Sequence, residues 1–165
     1  MTEQHTAKVR IDERTLYEAK GDAAYAIRYL HLQERLFLRM SHVFKFVSLL
    51  GGSAAFVGAA TASPALTGFS GILVAASTIL DFVIKPEEAS LKCRTVKHKY
   101  QKLLAKAETS DLPEFSRKLA KISLTSTPHI EGLRRPAYND SCHERGRPDF
   151  VLPLSNWEKF VSMLA

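Results

Sequence analysis

The chain has 165 residues, of which 45% are hydrophobic, and it carries 23 Lys and Arg against 17 Asp and Glu, a net charge of +6. These averages conceal a sharp division, because no charged residue occurs from Phe46 to Leu80. A run of 35 uncharged positions exceeds the roughly 18 at which a membrane span becomes the leading interpretation. One uniform soluble core is therefore disfavoured. The charged remainder is too small for most multi-substrate enzymes.

The cysteines and the N-terminus exclude other classes. Cys93 and Cys142 lie 49 positions apart, which argues against a disulfide-stapled secreted scaffold. The N-terminal sequence MTEQHTAKVRIDERT lacks an apolar core, so we expect no cleavable targeting signal. Neither Cys93-x4-His98 nor Cys142-His143 has the spacing of paired zinc ligands. We expect no catalytic residue, no metal and no cofactor, and hence no enzyme.

The uncharged run is too long for one span. A single helix of this length would measure about 50 Å, well beyond the ~30 Å hydrocarbon core. Ser63-Pro64 lies near its middle, and proline removes a backbone donor and disfavours helix in the preceding residue. We predict a transmembrane hairpin over 43–85, with spans 43–62 and 65–84. A buried soluble hairpin is the alternative, but little chain remains to surround it.

Basic residues flank the predicted hairpin on both sides and are absent from its tip. They are Arg28, Arg35, Arg39 and Lys45 before it, and Lys85, Lys92, Arg94, Lys97 and Lys99 after it. The positive-inside rule then places both termini in the cytoplasm.

The spans have distinct faces, because residues three and four apart share a helix side. In the second span the bulky stripe, expected to face lipid, is Leu66, Phe69, Leu73, Ala76, Leu80 and Val83. Small residues let helix backbones approach closely. We therefore expect helix packing through Gly51, Ala55 and Gly58 of the first span and Gly68, Gly71 and Ala75 of the second.

A third stripe of the second span is mostly polar. A turn at Ser63-Pro64 brings Lys45 level with Phe82, next to Asp81, so we predict a Lys45–Asp81 ion pair at the membrane edge. Intramembrane ionisable groups also often lie on ion pathways. On that second interpretation the pore-lining candidates are Thr67, Ser70, Ser77 and Asp81.

The remaining sequence predicts more helices. Residues 1–42 form an amphipathic helix that runs on into the membrane, with Gly21-Asp22 as the one place where Asp22 could cap a fresh helix, and 86–165 form a helical C-terminal region. Within the latter we predict helices at Glu114–Leu124 and Arg135–Glu144 and a final helix after the Ser155-x-x-Glu158 capping box. The predicted fold class is an all-α membrane protein, a two-helix transmembrane hairpin continued into a cytoplasmic helical stalk with short C-terminal helices.

Two arginine pairs and a tryptophan stand out in the C-terminal region. Arg134-Arg135 and Arg145-x-Arg147 are candidate contacts for an anionic ligand or partner, against the alternative of solvated turn residues. Trp157 either packs within its own fold or lies in a membrane interface. Because the basic excess concentrates at the membrane boundary and in these turns, we expect no direct nucleic-acid binding.

Several motifs together suggest a family. They are Tyr17-x-Ala19 at a helix start, Gly51-Gly52-Ser53-Ala54-Ala55-Phe56 in the first span, the short Pro turn, and the tail segments Pro136-Ala137-Tyr138-Asn139, Gly146-Arg147-Pro148-Asp149 and Leu152-Pro153-Leu154-Ser155-Asn156-Trp157. With the basic approach to the membrane, they resemble the SLATT domain, the two-transmembrane effector domain associated with SMODS and SLOG proteins. The resemblance covers nearly the whole chain and is architectural.

The resemblance implies a multi-pass protein of the bacterial inner membrane that acts in anti-phage defence. Such effectors are thought to form homo-oligomeric pores or otherwise perturb the membrane, as in abortive infection. We expect no fused sensor, so the trigger would come from a small ligand, from release of an inhibitor, or from a separate chain: a sensor, a nucleotide synthase or a reverse-transcriptase module. Two alternatives remain, a passive membrane anchor that recruits a soluble partner and a phage holin.

Overall fold

The computed structural model describes residues 15–165, which are all-helical. The α-helices are α1 (Leu16–Ala60), α2 (Pro64–Ile84), α3 (Pro86–Ala105), α4 (Leu112–Ser123), α5 (Arg134–Glu144) and α6 (Asn156–Leu164). Short 3-10 turns occur at Glu131–Leu133 and Pro148–Phe150. Residues 1–14, part of the predicted N-terminal helix, lie outside the described range.

Helix α1 runs for 45 residues without a break. It begins after Thr15, whose hydroxyl accepts a hydrogen bond from the Glu18 N–H while the Glu18 carboxylate accepts one from the Thr15 N–H, at 3.2 and 2.8 Å. This capping box satisfies the free donors of the first turn. The helix has no interruption at Gly21-Asp22, because Gly21 continues it and leaves space for the guanidinium of Arg145.

The predicted hairpin is formed by the second half of α1 and by α2. The turn between them contains Ala62 at a φ of 52°, and Pro64 is the first residue of α2, where its missing N–H costs nothing. The predicted limits of the second span, 65–84, agree with α2. Two segments, Leu16–Ala60 and Pro64–Ala105, contain a stretch that is long enough and apolar enough to cross a membrane.

Helix α3 packs beside the first half of α1. Lys85, at a φ of 47°, separates α2 from α3 and lets the chain turn slightly between two nearly continuous helices. The core between α1, α3 and α4 contains Ala19, Ala23, Leu30, Phe37, Cys93, Val96, Tyr100, Leu103, Phe115 and Leu119. This core joins the two chain segments that flank the hairpin.

The C-terminal region folds back onto α1. A second cluster contains Leu32 and Leu36 of α1 with Leu133, Ala137, Val161 and Ala165. The predicted helices at Glu114–Leu124 and Arg135–Glu144 correspond to α4 and α5, with small shifts at their ends. The capping box before α6 is present, since the Ser155 hydroxyl accepts from the Glu158 N–H at 3.2 Å and the Glu158 carboxylate accepts from the Ser155 N–H at 2.8 Å.

Candidate functional site

The hairpin helices meet through small residues of α1 and hydroxyl residues of α2. A Cβ added to Gly58 would lie 2.6 Å from Thr67 Oγ1 and 2.9 Å from Thr67 N, and one added to Gly51 would lie 2.6 Å from Val74 Cγ2. The hydroxyl oxygens of Ser48 and Ser77 are 2.8 Å apart. Gly51 and Gly58 therefore lie where the two helices approach each other closely. Ala55 is partly buried in the same helix.

The polar stripe of α2 faces α1. Ser70 and Ser77 are only 2% and 5% exposed, and Ser70 Oγ donates to the Leu66 carbonyl at 2.7 Å. Thr67 Oγ1 donates to the Ser63 carbonyl at 3.1 Å and is partly buried. The structure does not support a pore-lining role for these three residues in the closed hairpin, because α1 covers them. Asp81 is partly exposed at the end of the stripe.

The small stripe of α2 faces outward. Gly68 and Gly71 have no atom within 4 Å of an added Cβ, and Ala75 is exposed beside them. These three predicted packing residues do not contribute to the hairpin contact. The bulky residues of the expected lipid-facing stripe, from Leu66 to Val83, are exposed as well.

Lys45 pairs with Glu87 instead of Asp81. Lys45 Nζ lies 2.6 Å from Glu87 Oε1, and no ion pair within residues 15–165 involves Asp81. The predicted pairing is wrong. The contacts Ser48–Ser77 and Gly58–Thr67 place Lys45 level with Leu80, so depth alone does not exclude Asp81. The Lys45 side chain instead extends toward the start of α3, where it reaches Glu87. The hydrogen bond from Lys45 lowers the pKa of Glu87. Both side chains are more than half exposed, so the pair contributes little to stability.

All four arginines chosen from the sequence line one cavity, about 610 Å³ in volume, where the C-terminal region meets α1. One wall comes from α1, through Gly21, Asp22 and Tyr25. The other walls come from the 3-10 turn at Glu131–Leu133, from α5 and from the segment after α5. Their lining residues are Glu131, Arg134, Arg135, Tyr138, Ser141, Cys142, Arg145, Arg147, Phe150 and Leu152. The volume lies in the range of small-molecule sites.

Arg145 and Arg147 are held by aromatic rings. The Arg145 guanidinium carbon lies 4.6 Å from the centre of the Tyr17 ring, and that of Arg147 lies 5.6 Å from the centres of both Tyr17 and Phe150. Such cation–π contacts position a guanidinium without neutralising it. Within residues 15–165 neither arginine forms an ion pair with a carboxylate.

The other two arginines have acidic neighbours. Arg134 Nη1 is 3.1 Å from Glu131 Oε1, and Arg135 Nε is 3.6 Å from Glu158 Oε1. A hydrogen bond from His129, together with Arg134, lowers the pKa of Glu131. Among the described lining residues, the four arginines outnumber the two carboxylates, Asp22 and Glu131.

Hydrogen bonds between distant parts of the chain fix the cavity walls. Arg28 Nε donates to Asp140 Oδ2 at 2.8 Å and ties α1 to α5. The Asn139 amide donates to the Leu152 carbonyl at 2.8 Å and accepts from the Leu152 N–H at 2.9 Å, which secures the segment after α5. Tyr29 accepts from the Ile130 N–H at 3.0 Å. No sequence pattern identified these four contacts.

A polar layer lies deeper between α1 and α3. Glu34 and Lys97 form an ion pair whose side chains are only 12% and 13% exposed. The thiol of Cys93 donates to Gln33 Oε1 at 3.7 Å, and burial, with the nearby Glu34 charge, raises the pKa of Cys93 to about 11. Burial and the charge of Lys97 lower the pKa of His31. Among the described residues, no three His, Cys, Asp or Glu side chains are arranged to hold a metal.

Trp157 lies outside the arginine-lined cavity. Its ring contacts Phe160, with centres 5.9 Å apart, and its indole nitrogen lies near Gly132, yet the residue is 65% exposed. Val161, four residues further along α6, is buried. The Trp157 side chain is therefore packed along one edge and open on the other.

The fold and its surfaces define an all-helical protein with two helices capable of crossing a membrane and an arginine-lined cavity beside them. Neither a protein-family model, nor a curated protein sequence, nor a solved structure matches the chain.

Proposed function

We propose that this chain is a bacterial inner-membrane effector of an anti-phage system, which oligomerises and permeabilises or otherwise perturbs the membrane when a partner or signal triggers it. Two lines of support are the SLATT-like motifs and the surface of the hairpin. The partner would be a separate sensor, nucleotide synthase or reverse-transcriptase module. The hairpin surface is the observation that carries the proposal.

The hairpin exposes large apolar side chains on both helices. They include Phe46, Leu49, Leu50, Phe56 and Val57 of α1 and Phe69, Ile72, Ile79, Phe82 and Val83 of α2, each more than half exposed. Soluble monomers rarely present a continuous apolar surface of this extent. Exposing apolar side chains to water is unfavourable, whereas placing them in the hydrocarbon core of a bilayer removes this cost.

The charges support an orientation. The bases that flank the hairpin belong to α1 before the apolar half and to Lys85 and α3 after it. The positive-inside rule then favours a cytoplasmic location for both flanks, with the short 61–63 turn outside. In this arrangement the paired α1 and α3 form a cytoplasmic stalk.

The outward small stripe of α2 supports assembly. Two helices are too few to enclose a conduit, so permeabilisation requires several copies. Gly68, Gly71 and Ala75 offer a surface on which another helix backbone approaches closely, without a side chain in the way. We propose that this stripe packs against a second copy of the hairpin.

The effector function is tested by expressing the full chain in bacterial cells, with and without its genomic neighbours, and following membrane potential with a voltage-sensitive dye. We expect depolarisation and growth arrest once the trigger is supplied. Normal potential and growth under every combination would leave the passive-anchor function as the better account.

The assembly surface is tested with paired substitutions. Gly71→Leu fills the small stripe and should shift the detergent-solubilised protein from oligomer to monomer in size-exclusion chromatography with light scattering. Gly52→Leu is the matched control, because Gly52 also has open space around it but lies between exposed Leu49 and Phe56. An unchanged mass for Gly71→Leu would refute the packing surface.

A further inference from the structure

The arginine-lined cavity has the features of a ligand site that is independent of the hairpin. Its four arginines come from two segments ten residues apart in the chain, and they converge on one volume of about 610 Å³. Like charges that converge repel one another, and within the described residues no ion pair with a carboxylate offsets the positive charges of Arg145 and Arg147. An anion between them would remove that repulsion.

The geometry favours phosphate among the anions. Arginine presents a planar fork of donors that matches the oxygens of phosphate in a bidentate contact. The guanidinium carbons of Arg145 and Arg147 lie over the rings of Tyr17 and Phe150, and no carboxylate within residues 15–165 forms an ion pair with either group. The arrangement therefore provides charge and hydrogen-bond donors that are already oriented.

The same cavity offers aromatic surface. Tyr25, Tyr138 and Phe150 line it, and both Tyr138 and Phe150 are exposed. Flat heterocyclic rings stack on such side chains with a gain in binding free energy.

The position of the cavity excludes a lipid headgroup as the source of the phosphate. Gly21 lies 22 residues before Val43, the start of the predicted span, which is about 33 Å along a helix. This step rests on the proposed membrane placement of the hairpin. A headgroup at the bilayer surface is then too far away, and the ligand must be soluble.

We infer that this cavity binds a soluble phosphorylated molecule that carries a flat ring, the chemistry of a nucleotide. The phosphate lies between Arg145 and Arg147, Arg134 and Arg135 line the same cavity, and the ring lies against Tyr138 and Phe150. The bound ligand bridges α1, α5 and the segment after α5, which gives the proposed effector a place to receive a small-molecule signal.

The test is isothermal titration of the full chain in detergent with ADP, GDP and UDP, and with pyrophosphate, adenosine and glycerol 3-phosphate as probes of the separate parts. We expect at least one nucleotide to bind at least tenfold more tightly than pyrophosphate and glycerol 3-phosphate, with adenosine weakest. Glycerol 3-phosphate represents an anionic lipid headgroup without a ring.

The variant Arg145→Gln/Arg147→Gln should weaken nucleotide binding at least tenfold. Arg117→Gln, on the exposed surface of α4, should leave it unchanged, and an unaltered thermal unfolding midpoint would show that the double variant folds. Three outcomes would each overturn the inference. None of the three nucleotides binds; the double variant binds the nucleotide as tightly as the unmodified chain; or glycerol 3-phosphate or pyrophosphate binds as tightly as the best nucleotide. These outcomes do not depend on membrane depolarisation, so the ligand site and the effector function can fail separately.

Discussion

Cys93 illustrates how strongly the interface between α1 and α3 suppresses ionisation. The residue is fully buried, and its thiolate would lie near the carboxylate of Glu34, so the pKa of the thiol rises to about 11. Thiolate, and not thiol, is the reactive form. Cys93 is therefore a packing residue at neutral pH.

In a Cys142→Ser protein we expect Cys93 to resist iodoacetamide at pH 8 and to react quickly once the chain is denatured. The reason is that the folded state keeps the thiol protonated and covered. Mass spectrometry of the alkylated protein over time measures both rates. Because the unfolded thiol ionises at lower pH than the folded one, stability from this group is complete below the unfolded pKa and is lost as pH rises toward 11. Equal alkylation rates in the folded and denatured protein would contradict this account.

The Glu34–Lys97 pair is the most buried ion pair within residues 15–165. Removing one partner leaves an uncompensated charge in a poorly solvated place, which costs about 3 kcal/mol for pairs of this kind. We expect Lys97→Met to lower the thermal unfolding midpoint in detergent by roughly 6–12 °C.

The double variant Glu34→Met/Lys97→Met should recover most of this loss, because both charges are then absent. Lys118→Met is the control, since the Lys118–Glu114 pair is exposed and should contribute nothing measurable. A Lys97→Met protein that melts like the unmodified chain would show that the pair is well solvated.

At the scale of elements, the residues at which helices begin can be predicted from the sequence, whereas the contacts that each helix makes with other helices cannot. Pro64 and the Ser155 capping box are local signals, and both helices start where these signals indicate. The sequence marks Gly21 as a candidate interruption of α1, whereas in the structure its missing side chain lets a distant residue, Arg145, approach the backbone. A residue that serves a contact 124 positions away gives no local signal of that role.

The faces of α2 show the same limit. Periodicity sorts its residues into stripes correctly, but both the glycine stripe and the serine stripe are small enough to touch another helix. The Ser70 hydroxyl donates a hydrogen bond to the Leu66 carbonyl of its own helix, as serine in helices commonly does. The serine stripe therefore packs against α1 without an unpaired polar group, and the glycine stripe is left outside.

The hairpin contact at Gly58 should be intolerant of side chains. Gly58→Leu would place a side chain against Thr67 backbone and separate the helices, whereas Gly52→Leu meets open space. The measurement is disulfide formation in a Ser48→Cys/Ser77→Cys background, since those hydroxyls lie 2.8 Å apart. We expect several-fold less cross-linking with Gly58→Leu and no change with Gly52→Leu; full cross-linking with both would refute close packing at Gly58.

At the scale of the whole molecule, the cavity depends on contacts that no local pattern contains. The charge pattern identifies Arg134, Arg135, Arg145 and Arg147 as candidates. Their convergence requires α5 to dock on α1, which the Arg28–Asp140 bond secures across 112 positions. The candidate residues were therefore predictable, and the site that they form was not.

The proposed orientation predicts a labelling pattern for two exposed alanines. A membrane-impermeant maleimide should label Ala65→Cys, near the hairpin tip, in intact cells. It should label Ala105→Cys, at the end of α3, only after the membrane is permeabilised, because that residue lies on the basic side. Labelling of Ala105→Cys in intact cells would reverse the orientation.

The unbroken course of α1 has a mechanical consequence. From Leu16 to Ala60 the helix contains no proline, the most common cause of a sharp bend, and it measures about 67 Å. One end lies under Arg145 at Gly21, and the other meets α2 at Gly58. The contact with Arg145 and the contact with α2 therefore lie on one uninterrupted helix. This helix is the most direct covalent path by which a movement at the cavity could alter the packing of the hairpin.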